Sequence, residues 1–117
     1  MRLQHVSISI PPDAADSARA FYGGSLGLEE RDVLPSLDPA EFIWYRAGGD
    51  LELHLMLREE QRRDQRHFCL VVDDLDALRR RLEEQGHEVS DATSLVGRPR
   101  FFCRDPFGNL LEFTHFE

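Results

Sequence analysis

At 117 residues, 41% hydrophobic and 31% charged, the chain has the length and composition of one globular domain with its own core. Its net charge of −8 comes from 22 acidic residues against 14 basic ones, all arginine; this disfavours nucleic-acid partners and excludes lysine chemistry. The longest apolar runs are strand length, as at residues 68–72, so no membrane span is expected. With no basic flank or cleavage site after Met1, the expectation is a cytoplasmic protein without a signal peptide.

Residues 3–10 alternate strictly, with Val6, Ile8 and Ile10 on one face and Leu3, His5, Ser7 and Ser9 on the other. That is the pattern of a half-buried strand, ended by Pro11-Pro12. Asp13 is placed to cap a helix running to about Tyr22, stopped by Gly23-Gly24 and Gly27. A strand is predicted over 28–33, then a loop with Pro35 and Pro39, then a hairpin of 41–46 and 51–57 turning at Gly48-Gly49. Residues 58–66 are dense in mixed charge without an apolar face and predict a solvated linker.

The order then begins again. A strand over 67–72 leads to a helix capped by Asp73 or Asp74, which runs through Gln85 with Leu75, Leu78 and Leu82 on its buried stripe. A strand over 87–90 follows, then a hairpin of 100–104 and 110–116 around residues 105–109. The chain therefore divides into module one at 1–57, the linker 58–66 and module two at 67–117, within a single α+β domain. His5 falls on His67 at an offset of 62. The closing hairpins align at an offset of 60, which sets Gly48 on Gly108 and Glu52 on Glu112.

Strand parity sorts the polar residues. His5 lies opposite Val6/Ile8/Ile10, His67 opposite Phe68/Leu70/Val72, and Glu112 opposite Leu111/Phe113. Glu52 and His54 share the face opposite Leu51/Leu53/Leu55. Each module thus offers imidazole and carboxylate on its polar surface, and His5, His67 and Glu112 are expected to converge on a metal. Such donors suit Fe(II), Mn(II), Ni(II), Co(II) or Zn(II), and three or four of them leave positions open for substrate or water. By the same parity Phe102 and Phe116 face a pocket, while either Trp44 or Tyr45 faces the core. Cys103 reads as a buried thiol. Without C-x-x-C spacing, Cys69 and Cys103 predict no disulfide framework.

Four strings in order give the chain a family look: residues 3–8 (LQHVSI), 20–28 around Ala20-Phe21-Tyr22 and Leu26-Gly27-Leu28, 71–75 (VVDDL), and 105–112 (DPFGNLLE). Together they resemble the vicinal oxygen chelate superfamily, which includes glyoxalase I, extradiol dioxygenases and bleomycin-resistance proteins. The resemblance implies two βαβββ modules forming an incomplete barrel around a divalent metal, often in a homodimer. It implies His5, His67 and Glu112 as ligands. The fourth place goes to Glu52, as in the glyoxalase I pattern, or to His54 two residues on.

The function implied is a metal-dependent enzyme acting on a small substrate chelated through neighbouring oxygens. Isomerase or lyase chemistry is favoured, with Glu112 or Glu52 doubling as general base. A 2-His-1-carboxylate dioxygenase is the reading if only three ligands bind. A non-catalytic binder of the bleomycin-resistance type is the other, for which the net negative charge favours a cationic ligand.

Overall fold

The computed structural model describes all 117 residues, which fall into two compact units, Met1–Arg62 and Arg63–Glu117. Each unit is one βαβββ module, and each carries an open four-stranded sheet. In the first, β1 (His5–Ile10), β2 (Glu29–Arg31), β3 (Phe42–Arg46) and β4 (Glu52–Leu57) lie in the order β1-β4-β3-β2. In the second, β5 (His67–Val71), β6 (Glu88–Asp91), β7 (Arg100–Arg104) and β8 (Leu110–Thr114) lie in the order β5-β8-β7-β6. The first strand of each module runs parallel to the last, and all other pairs are antiparallel.

Alternation divides each sheet into an apolar and a polar face. Ile10, Ile43, Tyr45, Leu53 and Leu55 are all 2% exposed or less, so module one has its own core beside the fully buried Ala18 and Tyr22. In module two Phe101, Cys103, Leu111 and Phe113 do the same, with Leu78 and Leu82 buried on α2 (Leu75–Glu84). Asp74 caps α2: its carboxylate accepts from the Ala77 N–H at 3.0 Å. Of the two aromatics left open by the pattern, Tyr45 joins the core, and burial pushes its phenol up to about 12.

Three expectations needed correction. The first helix starts at Ala15, not after an Asp13 cap, because the Ala14 N–H is already held in a turn by the Pro11 carbonyl. After Ala18 it widens into a π-helical stretch, Arg19–Ser25, and continues past Tyr22; the Leu26 N–H donates to the Phe21 carbonyl five residues back. The strand at 28–33 shrinks to three exposed residues on the sheet edge, and β8 ends at Thr114 because Pro99, opposite His115 in the register, accepts from its N–H but has no N–H to return the bond.

The repeat also shifts. Arg46 stands opposite Glu52 and Arg104 opposite Leu110, with five turn residues in each hairpin, so the hairpins superpose at an offset of 58 rather than 60. The likeness of the two Gly-containing turns and of the Leu-Glu strings pulled the alignment two residues out. By strand register the counterpart of Glu112 is His54, and that of Glu52 is Leu110.

Candidate metal-ligating faces

In module one, His5 on β1 stands directly opposite Glu52 on β4, and His54 lies two residues further along the same face. His54 is held between two rings. Trp44 stacks on it at 4.0 Å with planes 3° apart, and His5 covers its other side at 4.3 Å and 15°. Although these residues occupy the polar face, Trp44 and His54 are buried by the stack, at 7% and 8% exposure.

Hydrogen bonding fixes which atoms remain available. The Gln4 amide nitrogen donates to the Asp50 carbonyl and to Glu52 Oε1, at 3.0 and 3.2 Å, so its oxygen must accept from His5 Nδ1 at 2.8 Å. His5 therefore carries its proton on Nδ1 and its lone pair on Nε2. His54 Nε2 also meets Glu52 Oε1, at 3.1 Å. Both donors use Oε1, which leaves Oε2 of Glu52 free. The Gln4 bond, with a smaller contribution from His54, holds the Glu52 carboxyl below the usual range.

Module two repeats the logic with other residues. His67 Nδ1 donates to the Gln65 carbonyl at 2.9 Å, so a neutral ring presents its Nε2 lone pair. That nitrogen faces Glu112 Oε2 at 3.1 Å. A lone pair facing a carboxylate oxygen calls for a proton or a cation shared by the two atoms. Donors side by side on an octahedral ion, each bonded at about 2.1 Å, stand about 3.0 Å apart, so the spacing fits a divalent metal. Glu112 Oε1 is taken by Arg100 at 3.0 Å; Arg100 in turn gives two more bonds, at 3.1 and 2.9 Å, to the Thr93 carbonyl.

His5 and His67 thus share one feature of metal-binding histidines, Nδ1 tied to an oxygen, while Nε2 is open in His5 and set against Glu112 Oε2 in His67. Glu52 has one occupied and one free oxygen, whereas the two oxygens of Glu112 meet Arg100 and His67. Neither module by itself gathers three His, Cys, Asp or Glu donors about one point. Phe102 joins His67 edge-on at 5.1 Å, on the face expected from its parity, whereas Phe116 lies beyond β8 and is 54% exposed. Cys103 is buried and its thiol is pushed up to about 12 by desolvation, as befits an inert core residue; Cys69 is exposed and also free. Gln4, Gln65 and Arg100 were not singled out from sequence. Only Arg100 left a trace there, since parity puts it on the face of Phe102 and Glu112.

Trp44 is the chain's only tryptophan and so reports directly on His54. Burial pushes the His54 imidazole below its ordinary value of 6.5; the bond it donates to Glu52 partly restores it, and the neighbouring His5 opposes protonation. The unfolded chain therefore binds this proton first. The contribution to stability is full above 6.5 and is lost as pH falls from 6.5 to the folded value. Trp44 emission is expected to be quenched as His54 protonates, with a midpoint below that of free imidazole, and His54→Gln should remove the transition. A midpoint at or above 6.5 would contradict the buried stack.

The architecture has close parallels. A glyoxalase family protein from Bacillus anthracis superposes with a TM-score of 0.89 at 30% identity, over 100% of this chain and 96% of that one. A lactoylglutathione lyase from Agrobacterium tumefaciens gives 0.72 at 24% identity, over 97% and 92% of the two chains. TnmS3, an antibiotic binding protein from Streptomyces sp. CB03234, gives 0.76 at 22% identity, over 100% and 97%. These last two likenesses are of fold alone. Among curated proteins no sequence match is found. No helix is long and apolar enough to cross a membrane. The Glyoxalase model, which describes the glyoxalase/bleomycin resistance protein/dioxygenase superfamily, matches residues 2–113. With paired βαβββ modules and that match across nearly its whole length, the chain belongs to this superfamily.

Proposed function

We propose that the protein is a divalent-metal-dependent enzyme of the isomerase or lyase type, acting on a small substrate that offers two neighbouring oxygens. The supporting observation is the shared support of the two imidazoles: His5 and His67 both have Nδ1 tied to an oxygen, and each lies on a face with a carboxylate, Glu52 with Oε2 free and Glu112 with Oε2 against His67 Nε2. In this reading His5, Glu52, His67 and Glu112 supply the ligands, two from each module, in a cytoplasmic homodimer. Fe, Mn, Ni, Co or Zn would suit the donors and would polarise the substrate oxygens when bound.

The chain's own residues divide the remaining work. Gln4 and the Gln65 carbonyl hold the two imidazoles in the ligand tautomer. His54 and Gln4 hold Oε1 of Glu52, and Arg100 holds Oε1 of Glu112. Oε2 of Glu52 or of Glu112 is the group proposed to take a proton from substrate carbon and return it. A non-catalytic binder remains the second reading, favoured by the fold shared with TnmS3.

Metal analysis of protein purified without chelator separates the two. At least half an equivalent of one divalent ion, or saturable uptake on titration, is expected on the scale of ~1 per chain. Less than about a tenth of an equivalent, with no uptake on titration, would leave the binder.

A further inference from the structure

Module two contains a cavity of about 540 Å³ beneath residues 92–99, in the size range of small-molecule sites. Its wall includes Asp91, Thr93, Ser94, Arg98, Arg100 and Glu117. Two of the charges on this wall are engaged in ion pairs, and one charge of each sign, Arg98 and Glu117, is not. Asp91 is engaged by Arg79 at 2.7 Å. Arg100 is the inner cation, with only 17% of its side chain exposed, and its carboxylate is Glu112. Arg98 has no carboxylate within ion-pair distance; its guanidinium lies over the Phe116 ring at 5.0 Å. Glu117, the last residue, is the remaining acid and is exposed.

An unpaired arginine at a cavity is unexpected in a chain of net charge −8, where carboxylates outnumber cations. Guanidinium forks match planar oxyanions, and the Thr93 and Ser94 hydroxyls add neutral donors. We propose that this cavity binds the carboxylate, or an equivalent small oxyanionic group, of the protein's ligand, with Arg98 as the recognising residue. Arg100 lines the cavity and also holds Glu112. A molecule anchored there by its anionic end would extend past Arg100 toward the carboxylate that Arg100 holds. This last step rests on the proposed metal-dependent function; the anion site itself does not. Arg98, a cation without a carboxylate partner, thus points to an anionic ligand where the net charge pointed to a cationic one.

The test uses metal-free protein and three probes: acetate, inorganic phosphate, and acetamide as the uncharged counterpart of acetate. Amide resonances of Thr93, Ser94, Gly97 and Arg98 are followed by NMR. Acetate and phosphate are expected to shift them saturably, acetamide not at all. Arg98→Gln, at an exposed position that leaves the core intact, is expected to weaken acetate binding at least about fivefold, with the spectrum otherwise preserved. Equal shifts with acetamide, or undiminished acetate binding by Arg98→Gln, would overturn the proposal. Because no metal is present, a protein that binds acetate but never takes up metal keeps this site and loses the proposed catalysis; the converse result does the opposite.

Discussion

Glu112→Gln is expected to lower divalent-metal affinity by more than about 100-fold while leaving the module folded. The glutamine keeps an oxygen to accept from Arg100, so the guanidinium is not stranded, but it removes the charged oxygen that faces His67 Nε2 at 3.1 Å. Glu112→Ala goes further. It also deprives Arg100, which is largely buried, of its only carboxylate. Leaving a buried donor unsatisfied costs on the order of 1–3 kcal/mol, so the alanine variant should unfold at lower urea concentration with an unchanged slope. The pair of variants separates two roles of one residue. Calorimetric titration with Zn(II) or Co(II) reads the first and urea unfolding the second. Metal affinity within threefold of the parent in Glu112→Gln would remove Glu112 from the ligand set.

The double role of Glu112 also shows what a sequence exposes and what it hides. Parity placed His5, Glu52, His54, His67 and Glu112 on the faces where they lie, because the period of a strand is fixed by backbone geometry and survives any packing. The order of elements was equally legible: apolar stripes, the Asp74 cap and glycines at element ends are local signals. Register was not. Which residue stands opposite which depends on turn length and on pairing between strands more than 40 positions apart, and string similarity gave an offset two residues from the real one. The π-helical stretch escaped for a similar reason, since a pattern of apolar residues does not distinguish a bond spanning four residues from one spanning five. Least visible were the partners of the site. Gln65 acts through its backbone carbonyl, which any residue supplies. Gln4 is identified only by the bonds it makes, and Arg100 becomes conspicuous only once Glu112 and Thr93 are seen at the ends of its guanidinium.

That corrected register bears on the fourth ligand, and here the expected results are unequal. Register makes His54 the counterpart of Glu112, whereas hydrogen bonding leaves Glu52 with the free oxygen and uses His54 Nε2 to hold it. The chemistry of the available atoms outweighs positional symmetry, because Oε2 of Glu52 is a charged donor with no bond, whereas His54 is buried between Trp44 and His5. Glu52→Gln is therefore expected to reduce metal affinity by more than about 100-fold, comparable to Glu112→Gln. His54→Phe retains a flat ring between Trp44 and His5 but loses the donor to Oε1, so it should cost about 10–100-fold, the usual effect of removing a group that orients a ligand. The Trp44 emission spectrum in His54→Phe checks that the stack persists. If His54→Phe instead abolishes binding while Glu52→Gln loses tenfold or less, the roles are exchanged. His54 would then be the ligand and Glu52 the carboxylate that orients it, and the site would have three histidines and one glutamate in place of two of each. The general base would in that case be Glu112 alone, since Glu52 would spend its charge on His54 and offer none to the substrate.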